Sequence, residues 1–108
     1  MRAEALKGHL DGLLLAVLET GPLHGYAVIE ALRAGSGGAF ALPTGTVYPA
    51  LHRLEALGFV ASSWSNVDGR RRRTYRPTAA GSKALAEQRE SWRLFSGAVT
   101  SVLAGGTP

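Results

Sequence analysis

The side chains best suited to chemistry are gathered in one stretch of this 108-residue chain. Arg70, Arg71, Arg72 and Arg73 are consecutive, and Arg76 stands three residues on. A guanidinium offers a planar fork of donors that matches phosphate oxygens and the edge of guanine, so the run suits a polyanionic partner. The charge balance agrees. Twelve Lys and Arg against eight Asp and Glu leave +4. Between Thr44 and Pro77 lie six arginines (Arg53, Arg70, Arg71, Arg72, Arg73 and Arg76) against Glu55 and Asp68, which accounts for all of it. Elsewhere the charges cancel. A solvated basic loop is the alternative that charge alone leaves open.

Catalytic chemistry finds little support. His9, His24 and His52 lack the spacing of metal ligands, no HExxH motif occurs, and there is no cysteine for a thiolate, a metal site or a disulfide. Gly35 to Gly38 lacks the Lys and Ser/Thr of a phosphate-binding loop, and nothing marks a nucleophile elbow. The expectation is a protein that is not an enzyme and needs no metal or cofactor.

The elements that must carry the arginines are legible from periodicity. Leu10, Leu13, Leu14, Val17 and Leu18 share one helical face, and Thr20-Gly21-Pro22 stops that helix. A second helix runs from about His24 to Leu32 with a stripe of Gly25, Val28, Ile29 and Leu32; Gly35-Ser36-Gly37-Gly38 reads as a flexible linker. A third, at about residues 44–57, buries Val47, Ala50, Leu51, Leu54 and Leu57. Thr44 or Thr46 can cap it, and a cap at Thr46 places Pro49 in the first turn, where its missing N–H costs nothing. Its other face carries Gly45, Pro49, His52, Arg53 and Ala56, with Tyr48 at the edge, and is poor in carboxylates. The period then changes to two. Phe59 to Ser65 and Arg72 to Arg76 read as strands joined through Asn66-Val67-Asp68-Gly69, with Trp64 expected beneath the hairpin as core.

Thr78 caps a last helix over about residues 78–104. Leu85, Gln88, Trp92, Phe95, Val99 and Val102 follow a 3-4-3-4-3 spacing, the seam of a helix that pairs with a partner helix. At roughly 25 residues it spans ~37 Å, too long for so small a body to cover. The tail from Gly105 to Pro108 is expected to fray. The longest apolar run, Leu13 to Leu18, is far short of the ~20 residues of a membrane span, and Met1 to Lys7 has no apolar stretch of signal-peptide length, so no membrane role and a cytoplasmic location are expected. A hydrophobic fraction of 45% supports one small core. The fold class expected is mainly α with a small β component (α+β). It is a winged helix-turn-helix DNA-binding domain at 1–77 with its wing at about 59–77. The long C-terminal dimerisation helix at 78–104 belongs to the same unit. In that arrangement the third helix enters a major groove, the hairpin touches the adjacent backbone or minor groove, and the last helix pairs two copies.

The stretches LLLAVLETGPLHGYAVIEAL, TGTVYPALHRLEALGFV and DGRRRRTYRPTAAG resemble the PadR family of bacterial transcriptional regulators over roughly residues 10–95. The resemblance implies a homodimeric repressor on a dyad-symmetric DNA operator, of the small subgroup with one C-terminal helix. By position it implies DNA contacts from Tyr26, Thr44, Thr46, Tyr48, Arg53 and the wing arginines Arg70, Arg71, Arg72 and Arg73. His52, on the exposed face, either contacts DNA or is merely solvated. Leu10 and Leu14 of the first helix would join Leu85, Gln88, Trp92, Phe95, Val99 and Val102 at the dimer interface. Trp92 and Phe95 are the candidates for a small hydrophobic or aromatic effector, or they simply fill the interface. Tyr48 has the alternative of packing at the core edge, and Arg53 that of pairing with Glu55 or Glu30. Two departures are Val47, where the family more often has Leu, and the dense arginine run, which favours affinity over sequence reading. The rival expectation is a winged-helix module that binds an acidic protein.

Overall fold

The computed structural model describes Leu6 and residues 8–105. Expectations for Met1 to Ala5, Lys7 and Gly106 to Pro108 lie outside the described residues. The elements are α1 (Leu10–Leu18), β1 (Leu23–His24), α2 (Gly25–Gly35), α3 (Thr44–Ala56), β2 (Val60–Val67), β3 (Arg70–Pro77) and α4 (Ala79–Leu103). The fold is helical with one antiparallel sheet in the order β1-β3-β2.

The core forms where the helical stripes converge. Leu14, Leu15 and Leu18 of α1 pack with Val28 and Leu32 of α2 and with Val47, Ala50, Leu51 and Leu54 of α3; Val60, Tyr75 and Leu85 close it from the sheet and α4. Leu15 was not on the expected stripe of α1, whereas Leu10, Leu13 and Val17 are only partly buried. Leu57, expected in the core, is 56% exposed. The chain turns out of α3 one residue earlier, through Gly58 at φ +82°. There the Phe59 N–H donates to the Leu54 carbonyl and the Gly58 N–H to that of Glu55, a Schellman cap that swings Leu57 outward.

Further expectations are corrected, and one element was missed. No threonine side chain caps α3: Pro43 is the N-cap, and the N–H groups of Thr46 and Val47 donate to its carbonyl. Pro49 is therefore the sixth residue of the helix, not in its first turn, and cannot donate to the carbonyl of Gly45. Gly45 is exposed, so water can pair with that oxygen. The segment after α2 is an ordered cap rather than a loose linker, because the Gly38 N–H donates to the Arg33 carbonyl and the Phe40 N–H to Ser36 Oγ. Finally, β1 escaped the sequence. It is two residues long and exists only through pairing of Leu23 with Tyr75 and His24 with Thr74.

The hairpin is longer than expected at its tip, and β2 starts at Val60, one residue later than expected. Val67 pairs with Arg70, leaving a two-residue Asp68-Gly69 turn with φ of 52° and 75°. Positive φ at both positions defines the type I′ turn that matches strand twist, and Asp-Gly is among its preferred sequences. The last helix is capped as expected: Thr78 Oγ1 accepts from the Gly81 N–H at 3.1 Å and donates to the Gly58 carbonyl at 2.6 Å. A Cβ on Gly81 would lie 1.9 Å from the Phe59 carbonyl oxygen, so only glycine allows this approach. The start of α4 is thus pinned to the corner that ends α3. Only Gly81 and Leu85 of α4 are buried, and the remainder projects, giving the molecule a 58 Å long axis against 28 and 21 Å.

Candidate nucleic-acid interface

On α3 the exposed face is the expected one: Thr44, Gly45, Pro49, His52, Arg53 and Ala56 all face solvent. Tyr48 is half-buried because its ring lies on the backbone of Gly25, where a Cβ would come within 1.9 Å of Cε1. The glycine of His24-Gly25-Tyr26 is therefore the seat that lets α2 and α3 approach. His24 Nδ1 caps α2 by accepting from the Ala27 N–H at 3.3 Å, and Tyr26, 53% exposed, stands at the same end. Thr46 is half-buried, and the His52 ring stands 6.5 Å from that of Tyr75.

Two arginines are not free as the sequence suggested. Arg53 pairs with neither Glu55 nor Glu30. Its guanidinium takes both carboxylate oxygens of Asp11 on α1, with Nη1 at 2.9 Å. The pair leaves three of the five guanidinium donors directed elsewhere. Arg73 is engaged as well. Its Nε donates to Ser62 Oγ at 2.8 Å and its Nη2 to Glu55 at 3.2 and 3.3 Å, while Ser62 donates to Glu55. Glu55, Ser62 and Arg73 thus tie α3 to both wing strands. The Ser62 hydroxyl, and then the Arg73 guanidinium, hold the Glu55 carboxyl below its usual range. The carboxylate-poor surface arises because Glu55 is turned into this network.

Alternation divides the remaining wing arginines. Trp64 pairs with Arg73 and Asn66 with Arg71, so Arg71 and Arg73 share the sheet face that carries Val60 and Tyr75. Arg70, Arg72 and Arg76 lie on the other face. Four consecutive arginines on a strand cannot all meet one partner surface. Trp64 is not core, as expected, but 57% exposed, with the Arg71 guanidinium 5.3 Å from its ring centroid. The face it occupies turns from core to solvent beyond Ser62.

The expected dimer seam divides too. Leu14 and Leu85 belong to the chain's own core, 0% and 4% exposed, and have no surface to offer a partner. Leu10 is half-buried, and Gln88 is half-buried against Gly12. Further along the same stripe Trp92, Phe95, Val99 and Val102 are exposed at 52%, 56%, 38% and 73%. The Trp92 ring meets His9 edge-on at 5.3 Å and Phe95 at 6.1 Å. A cavity of ≈ 510 Å³ opens beside Trp92, bounded by His9, Leu13, Phe40, Leu85, Gln88 and Trp92 among others, and Phe95 does not line it. Asp11, Ser62 and Phe40 had no signal in the sequence: the partner of Asp11 lies 42 residues away, and Ser62 and Phe40 gain their roles from how separate elements pack.

Among the described residues no group of His, Cys, Asp and Glu could hold a metal ion, and no helix is long and apolar enough to cross a membrane. Three helices, an arginine-bearing hairpin and a projecting helix make the architecture of a winged helix-turn-helix transcriptional regulator. The profile of the transcriptional regulator PadR-like family matches residues 14–87, and the chain belongs to that family. The family consists of transcriptional regulators, which are not enzymes. Transcriptional regulator Rv3488 of Mycobacterium tuberculosis is 57% identical over 47 residues, a match spanning 44% of each chain and so under half of that relative's length. The structure of a PadR family transcription regulator from Clostridium difficile is 30% identical, with a TM-score of 0.79, covering 89% of this chain and 99% of that one. That of a transcriptional regulator from Clostridium thermocellum is 26% identical, with a TM-score of 0.84, covering 94% and 96%.

Proposed function

We propose that this chain represses transcription as a homodimer on a dyad-symmetric operator, and that a small hydrophobic or aromatic compound releases it. Each α3 enters a major groove through Thr44, Thr46, Tyr48, His52 and Arg53, with Tyr26 on the flanking phosphates. In the wing, Arg71 contacts the neighbouring backbone, and Arg70 and Arg72, on the opposite sheet face, reach the far wall of the minor groove that the hairpin tip enters. The observation that carries this reading is the exposed stripe from Trp92 to Val102 on a helix pinned, through Thr78 and Gly81, to the end of α3. Pairing two such helices covers apolar surface and fixes the separation of two α3 helices together. Half-sites on one duplex face are about 34 Å apart, so that separation decides whether both can bind.

The effector acts on the same linkage. A compound in the cavity beside Trp92 touches α1, α4 and, through Phe40, the loop before α3; Phe95 does not line that cavity but stands against the Trp92 ring. It releases DNA only if it binds the free arrangement of the two helices more tightly than the bound one. Selection from a random duplex pool tests the reading. The expected result is an inverted repeat bound by two chains per duplex. Enrichment of an unsymmetrical site, or none, would overturn it.

A further inference from the structure

The wing carries an exposed indole that its own fold leaves uncovered, and the surroundings of that indole identify what covers it. Trp64 lies one alternation beyond Ser62 on β2 and directly opposite Arg73 on β3. Ser62 and Arg73 are both tied to Glu55 of α3, so this sheet face turns toward the recognition helix and is held there. The Trp64 ring is 57% exposed, with the Arg71 guanidinium over its face. From residue 64 to residue 77 the wing has five arginines and a single acid, Asp68. An apolar ring set in such a field suits a partner that alternates anionic groups with apolar ones. The sugar–phosphate strand of a duplex has that composition.

The dimensions agree. A strand advances about 3.4 Å per residue, so Trp64 stands ~7 Å and the turn at Asp68 ~20 Å beyond Ser62. Half a helical turn of DNA, from a major groove to its neighbouring minor groove, is ~17 Å. A hairpin anchored beside a helix in the major groove therefore carries Trp64 over the intervening backbone and Arg71 toward the next groove.

We infer that Trp64 packs on the deoxyribose of the strand between the two grooves and that Arg71, seated on its ring, takes the adjoining phosphate. This rests on the proposed operator binding and adds to it a non-ionic, sequence-independent contact. Trp64→Ala should weaken binding to operator and random duplex by the same factor, about tenfold, and leave the salt dependence unchanged. Trp64→Phe should restore most of the loss. In a Trp92→Phe background shown to stay dimeric by ultracentrifugation, Trp64 emission should change on adding duplex and gain protection from iodide. The inference is overturned if Trp64→Ala binds as the parent does, or if it lowers the salt dependence as Arg71→Ala would, because the ring then only seats the arginine. It is overturned equally if Trp64 emission stays quenchable in the complex. If the parent protein binds neither duplex, the operator reading itself has failed, a result distinct from these.

Discussion

Arg71→Ala and Arg73→Ala remove the same charge from one face of one strand, yet they should differ in their effect on DNA binding. The Arg73 guanidinium donates to Ser62 and Glu55, whereas among the described residues the Arg71 guanidinium lies over the Trp64 ring with no ion pair. Each phosphate neutralised adds about 0.9 to the slope of log affinity against log salt, so Arg71 on two wings accounts for about 1.8. Between 50 and 200 mM salt that is a roughly twelvefold larger loss for the parent than for Arg71→Ala. Arg73→Ala should keep the parent slope. It loses a part-exposed ion pair worth roughly 0.2–1 kcal/mol, seen as a drop of a few degrees in Tm. The assay is fluorescence anisotropy of a labelled duplex at four salt concentrations, with thermal melts alongside. A slope for Arg73→Ala as shallow as that of Arg71→Ala would refute the reasoning, because Arg73 would then have left Glu55 for a phosphate.

Other perturbations probe the remaining elements. Phe95→Asp and Val102→Asp should give folded monomers by ultracentrifugation, whereas Leu85→Ala, in the core, should cost about 2–5 kcal/mol in chemical denaturation. Asp11→Asn unties Arg53; it should strengthen binding to random duplex and narrow the operator preference in parallel titrations. The Glu55 carboxyl is held low, so its contribution is present above the ordinary carboxylate range and is lost as pH falls through its lowered value. The stability advantage of the parent over Glu55→Gln should therefore be constant from pH 7 to about 5 and shrink below that, as followed by urea denaturation. Gly81→Ala should destabilise the fold strongly, since its Cβ would meet a backbone oxygen, and melts at neutral pH would show it.

Features set by local chemistry were legible in the sequence. The Thr78 cap, the presence of a hairpin connection within Asn66 to Gly69 and the length of α4 each depend on neighbours within a few residues. The stripe from Leu85 to Val102 was also visible, but periodicity reports that a face is apolar and not what covers it. Its first turn belongs to the core and its remainder to solvent. Trp64 misled for the same reason: an aromatic at a period-two position looks alike on a covered and on an uncovered part of a sheet. The partners of Arg53 and Arg73 lie 42 and 18 residues away, and β1 exists only by pairing across the fold. No local pattern announces such contacts. The cap of α3 was misassigned because Pro43, which has no side-chain acceptor, occupies the N-cap position, and no side chain takes the role that a threonine hydroxyl usually fills.

In the proposed function, two chains joined through α4 grip one specific duplex. The most direct measurement titrates the purified protein against a labelled duplex from the region upstream of its own coding sequence, with a scrambled duplex of equal length, at two salt concentrations. Saturable, salt-sensitive binding to the first at two chains per duplex, far tighter than to the second, is the expected result. Equal and weak binding to both would contradict it, leaving the arginine wing a generic polyanion surface.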